Sequence, residues 1–136
     1  MIEGDMSDIN SYIDRCNSSI THYDISIIVF KVLKDDFRYI GSKQWEYYDK
    51  ICKTWINDEK ADRLRFQIKT IISDLFTKRA LFWYAESSKC EDVNSEIHSK
   101  FMSEKMLNVS SKLKNNNFIS VVIRESQSFF DIHNND

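Results

Sequence analysis

The chain contains no proline and only two glycines, Gly4 and Gly41, so it lacks the residues that punctuate tight turns. An all-β sandwich of many short strands needs that punctuation, and helix must therefore dominate. The two glycines stand 37 positions apart. That spacing excludes a G-x-x-x-x-G-K phosphate loop, a G-x-G-x-x-G dinucleotide turn and a G-x-S-x-G nucleophile elbow. A length of 136 residues suits one domain, because two cores would each fall near the ~70-residue size where burial becomes marginal. Apolar residues at 42 % and aromatics at 13 % can build that core against 29 % charged residues.

The net charge of −2 is too close to zero for whole-protein attraction to polyanions, but it is unevenly spread. Residues 1–30 hold five acids and one base, residues 31–79 twelve bases and eight acids, and residues 80–136 six bases and eight acids. An anion-binding surface therefore belongs to the middle third, although the same excess also suits charges that only solvate helix and strand faces. Cys16, Cys52 and Cys90 are odd in number and never closer than 36 residues, and His22, His98 and His133 are equally dispersed. Neither a disulfide framework nor a metal knuckle is indicated, and the expected compartment is reducing and intracellular. The longest apolar run, Ala80–Ala85, is six residues, and the first residues are acidic. No membrane span and no secretory leader is expected.

Residues 1–20 read as a flexible acidic arm with scattered Ile9, Tyr12 and Ile13. Ile25, Ile28, Val29, Val32 and Leu33 recur at helical spacing behind Thr21 or Asp24 as candidate caps, which predicts a helix over 22–36, though β-branched content also suits a strand. From Phe37 the period becomes two. Phe37 and Tyr39, Trp45 and Tyr47, and the stretch to Trp55, broken at Gly41-Ser42 and Asp49-Lys50, predict a three-stranded antiparallel meander over 37–40, 44–48 and 52–56. Asn57-Asp58 closes it and can cap the next helix. Leu64, Ile68, Ile71, Ile72, Leu75, Phe76 and Phe82 share a stripe on a long amphipathic helix over 59–88. Ile97, Phe101 or Met102, Met106, Val109 and Leu113 mark another helix, stopped at Asn115-Asn116-Asn117. Phe118, Ile119, Val122, Ile123, Phe129 and Phe130 mark the last, with a frayed tail over 132–136. The fold class expected is α+β, mostly helical, with a single domain over 21–131.

No catalytic signature accompanies this plan. The paired acids Asp35-Asp36, Asp58-Glu59 and Glu91-Asp92 point about 100° apart on a helix and do not share a site. No cofactor or metal site is expected either. The meander is the chemically distinctive segment. Its rings, Phe37, Tyr39, Trp45, Tyr47, Tyr48 and Trp55, alternate with Arg38, Lys43, Lys50 and Lys53, the ingredients of a stacking platform for single-stranded nucleic acid. The same alternation also suits a sheet that packs one aromatic face on helices. Tyr48, out of phase with Trp45 and Tyr47, is the ring expected outside. Candidate nucleic-acid contacts are Arg38, Lys43, Tyr48, Lys50, Lys53, Arg63 and Lys69, and the run Leu81-Phe82-Trp83-Tyr84 offers Trp83 and Tyr84 as partner contacts.

The order of these phrases resembles a known family. The stretch DISIIVFKVLKDDFRYIGSKQWEYYDKICKTWINDEKADRLRFQIKTII contains Leu33-Lys34-Asp35-Asp36-Phe37, then Trp45–Tyr48, then Thr54-Trp55-Ile56 and a long L-x-x-x-I helix. It resembles the helicase-adjacent N-terminal module of poxvirus-type primase–helicases and of related giant-virus, phage and plasmid superfamily 3 helicases. Lys112-Leu113-Lys114, Phe118, Arg124-Glu125 and Phe129-Phe130-Asp131 resemble the closing stretch of that module. The resemblance spans residues 24–131 and implies a non-enzymatic collar or linker of a replication machine, because neither a Walker loop nor primase carboxylates are present. Implied partners are single- or double-stranded DNA, a replication or other viral or host protein, or a second copy of the chain. The implied location is the host cytoplasm or a viral replication site. The rival expectation is a viral protein–protein interaction module, a virion component or host-directed factor, that binds no nucleic acid.

Overall fold

A computed structural model describes residues 3–16 and 22–134, with side chains from residue 8 onward. It is a mostly helical α+β fold with the meander inserted between two helices. Helices α1 (Glu3–Arg15) and α2 (His22–Leu33) precede the strands β1 (Phe37–Gly41), β2 (Gln44–Asp49) and β3 (Thr54–Asp58). A 3₁₀ turn (Glu59–Ala61) leads into α3 (Asp62–Gln67), a π-helical turn (Ile68–Ile72) and α4 (Ser73–Ser87), which run on as one long helical stretch. Helices α5 (Val93–Lys112) and α6 (Asn116–Phe130) and a final 3₁₀ turn (Ile132–Asn134) complete the chain.

Helix α1 replaces much of the expected flexible arm. Ile9, Ile13 and Cys16 lie on one side of it and are fully buried in the common core. A 13-residue polar helix is marginal alone, so its order comes from docking. Charged side chains of the other helices hold it there. The Asp14 carboxylate accepts both the Nε–H and an Nη2–H of Arg79 at 2.9 and 2.8 Å, and the indole N–H of Trp83 at 2.9 Å. Lys105 donates from α5 to the Asp14 carbonyl at 2.6 Å. Thr21, one candidate cap of α2, lies outside the described residues, as do residues 1, 2, 17–20, 135 and 136 of the expected arm and tail. Asp24 sits in the first turn of α2.

The meander has the order β1-β2-β3, both pairs antiparallel. Its first turn is the two residues Ser42 and Lys43, both at positive φ (53° and 62°), after Gly41 at 95°. This left-handed pair matches the twist of a hairpin, and Gly41 takes the one position that an L side chain resists most. The second turn differs from the expected Asp49-Lys50. The Asp49 carboxylate accepts the N–H groups of Ile51 and Cys52, and Lys53 turns to φ 55°. The turn thereby extends through Lys53, and β3 begins two residues later than the alternation suggests. Asp58, buried at the end of β3, accepts the N–H groups of Arg63 and Leu64 at 2.8 and 3.0 Å and so caps α3 across the 3₁₀ turn.

Leu64, Ile68, Ile72, Phe76 and Ala80 are all buried at a strict spacing of four. An α-helix turns every 3.6 residues, so such a stripe would wind around it; the wider π turn in the middle unwinds the drift and keeps the stripe on the core. Ile71 and Phe82, expected on the stripe, are 43 % and 42 % exposed because they fall off this spacing, and Leu75 is half-buried. Helices α4 and α5 form an antiparallel hairpin: Ser73 meets Ser110, Ala80 meets Ser103 and Trp83 meets His98. The buried face of α5 is Ser99, Met102, Ser103, Met106, Val109 and Ser110, continued by Leu113 just past its end. Ile97, expected inside, is exposed, and of the alternatives Phe101 and Met102 it is Met102 that is buried; the serines occupy the helix–helix contact and let the backbones approach. Helix α6 packs on α2 and the sheet, where Phe130 meets Phe30 of α2 and Trp45 of β2 edge-on at 5.0 and 5.3 Å. Its first turn is capped by Asn115, which accepts the N–H of Phe118. Past α6, Asp131 pairs with Tyr39 and covers the free edge of β1.

Candidate nucleic-acid interface

Strand pairing decides which rings face the core. Phe37 lies opposite Tyr47 and Tyr39 opposite Trp45, so these four share the inner face, where Phe37, Tyr39 and Trp45 are buried. Arg38 lies opposite Glu46, and Tyr48 opposite Trp55, on the outer face. Tyr48 is outside as expected, but it is half-buried against Trp55 in an edge-to-face contact at 5.3 Å. The Arg38 guanidinium lies 4.4 Å above the Trp55 ring and pairs with Glu46 at 2.7 Å. A cation whose charge a carboxylate already neutralises attracts a phosphate only weakly.

The expected contacts do not form one patch. In a three-stranded meander the two turns lie at opposite ends, which puts Lys43 at one end of β2 and Lys50 and Lys53 at the other. Lys69 is half-buried within the π turn. Tyr48, Lys50 and Arg63 do converge. They line a cleft of about 490 Å³ where the β2–β3 end of the sheet meets α3, together with Tyr47, Ile51, Asp36, Asp49 and Gln67. Inside it, the Arg63 guanidinium lies 4.0 Å above the Tyr47 ring as a stacked cation. The N–H groups of Cys52 and Ile51, and secondarily the charge of Arg63, hold the Asp49 carboxyl below the ordinary carboxylate range. The turn is therefore ionised and fixed at neutral pH. Ile51 at its tip is 93 % exposed, flanked by Lys50. The cleft combines flat rings, a stacked guanidinium, and amide and carboxylate groups able to pair with base edges.

No family model matches the chain, nor does any curated protein. The geometry alone therefore speaks for the site. Among the described residues, no group of three or more His, Cys, Asp or Glu side chains is arranged to hold a metal. Among them, too, no helix is long and apolar enough to cross a membrane.

Of the two expected partner contacts, Trp83 is occupied internally by Asp14 and by His98 at 5.7 Å, whereas Tyr84 is 64 % exposed. Sequence reasoning misses the pairing of Arg63 with Tyr47, which belong to different elements. It also misses a second, basic cleft at the other end of the sheet, lined by Lys43, Lys60, Arg65 and Arg124. Their spacing in the sequence carries no periodic signal.

Proposed function

We propose that this protein is a non-catalytic module that binds single-stranded nucleic acid through the cleft between β2 and α3, in the setting of a replication machine of the viral helicase type it resembles. The observation that carries the reading is the convergence of Tyr48, Lys50 and Arg63 with Tyr47 in one cleft. Rings and a stacked guanidinium hold unpaired bases without demanding one sequence, and the lysine neutralises backbone charge. Such a site suits a collar or linker along which a strand passes. Titration of a fluorescent oligo-dT by anisotropy tests it. Tyr48→Ala and Arg63→Ala should each weaken binding by about 1–3 kcal/mol, the worth of a stacking contact. Wild-type affinity in both variants would remove the cleft from the site.

A second reading, a protein-binding module, is favoured by one feature. Leu81 and Tyr84 on α4, and Val93, Ile97 and Phe101 on α5, are each between 58 and 66 % exposed on the hairpin. Exposed apolar side chains in such number are common anchors of protein interfaces. Sedimentation of the wild type against Tyr84→Ala and Phe101→Ser separates the readings: a self-associating wild type and monomeric variants favour this one.

A further inference from the structure

We propose that the cleft bounded by the β1–β2 turn, the start of α3 and one side of α6 is a binding site for polyanions that present two or more phosphate charges together. It is independent of the stacking cleft and lies at the opposite end of the sheet. The space is about 670 Å³, and four cations from separate parts of the chain line it: Lys43 in the turn, Lys60 in the 3₁₀ turn, Arg65 on α3 and Arg124 on α6. Among the described residues, no acidic side chain lines it, and none of the four cations is in an ion pair.

Four like charges gathered in one concavity repel each other, and a multiply charged anion relieves that repulsion while it gains several charge-assisted hydrogen bonds. The site is also held in shape. The Arg65 guanidinium is anchored by the carbonyl of Asn116 and the hydroxyl of Ser120 at 3.1 and 3.0 Å, which leaves its remaining N–H groups to turn to the cleft. The Lys43 N–H donates to the phenol oxygen of Tyr39 at 2.8 Å, which fixes the turn that carries the lysine. Asp62, an acid close by in sequence, instead lines a recess with Arg63, Phe66 and Gln67. The rings at the floor of the cleft, Tyr39 and Trp45, are buried and offer no stacking face. Recognition there is of phosphate charge alone. Two sources share that chemistry, the backbone of a strand and a free polyphosphate.

The test uses the full chain and sodium tripolyphosphate at low salt, followed by amide chemical shifts and calorimetry. Shifts are expected at Ser42, Lys43, Lys60 and Arg124. The double variant Lys60→Gln/Arg124→Gln should lose about tenfold or more in affinity, while Lys78→Gln/Lys100→Gln, exposed on the α4–α5 hairpin, retains it. Arg124→Gln alone, on an exposed helix position, gives the same direction should the double variant melt early. Displacement of tripolyphosphate by an oligo-dT of about 12 nucleotides assigns the site to a strand backbone. Failure of the oligo-dT to displace it assigns the site to free polyphosphate and leaves the site standing. No binding to the wild type, or equal losses in the two double variants, overturns the proposal.

Discussion

The sheet end of the molecule and the α4–α5 hairpin treat the same kinds of residue in opposite ways. At the sheet end Trp45, Phe37 and Phe130 are buried and the cations Lys43, Lys50, Lys60 and Arg124 are exposed. In the hairpin the hydroxyls Ser73, Ser103 and Ser110 are buried, while Leu81, Tyr84, Ile97 and Phe101 face outward. The hydroxyls satisfy themselves: Ser103 donates to the Ala80 carbonyl at 2.9 Å, and Ser110 donates to that of Ser73 at 3.1 Å. A buried polar group is tolerated when it is hydrogen-bonded, and small side chains allow close helix contact. Hydropathy alone therefore ranks neither surface, and the two ends expose different chemistry, charge at one and apolar area at the other.

The sharpest way to break this contrast is to truncate one ring from each region. Trp45→Ala should cost about 3–5 kcal/mol as a buried large-to-small change, and Tyr84→Ala should stay within about 0.5 kcal/mol. Equal shifts in denaturant midpoint would show that the hairpin ring is as buried as the sheet ring. Next in size is the tie between α1 and the hairpin. Arg79→Ala removes a bidentate bond to Asp14 and should cost about 2 kcal/mol, with faster amide exchange confined first to α1. Exchange that rises uniformly would mean α1 is not a separate docking unit.

Ser103→Leu probes the close hairpin contact by overfilling it, with an expected cost of about 1–3 kcal/mol in urea unfolding; an unchanged midpoint would reveal room that the serines do not fill. The smallest effect separates two thiols. Burial, and then the charge of Asp24, pushes the Cys16 thiol up to about 12, whereas Cys52 is exposed in the β2–β3 turn. Native protein at mild alkaline pH should alkylate at Cys52 and spare Cys16. Because the folded value lies above the ordinary 9.0, the unfolded chain ionises first. Stability supplied by the neutral thiol is therefore present below pH 9 and falls as pH rises from 9.0 towards 12. Replacement by serine tests the source: the alkaline loss should flatten in Cys16→Ser.

Much of the fold is legible in the sequence because hydrophobic period reports local geometry. The switch from spacing near 3.6 to alternation at Phe37 locates the meander, Asp58 announces the cap that α3 uses, and Asn115-Asn116-Asn117 marks the stop after α5. Three features are not legible. Helix α1 reads as an arm because its few apolar residues gain order only by docking. The apolar count on α5 puts Ile97 inside and leaves Phe101 and Met102 as alternatives, because it gives the contact-forming serines no weight. The second turn reads too short, because the Asp49 side chain, rather than a glycine, shapes it.

The candidate site divides along the same line. The local pattern of the sequence is enough for the element order from α2 onward, the mostly helical α+β class and the rings and cations of the meander, since each depends on residues a few positions apart. Only the tertiary structure decided that Lys43 leaves Lys50 and Lys53 for the opposite end of the sheet, that Arg38 is taken up by Glu46, and that Lys60, Arg65 and Arg124 join Lys43. Charge carries no period: side chains distant in sequence become neighbours only when α3 and α6 have packed, because that packing follows the apolar stripes and takes the cations wherever the opposite faces happen to lead.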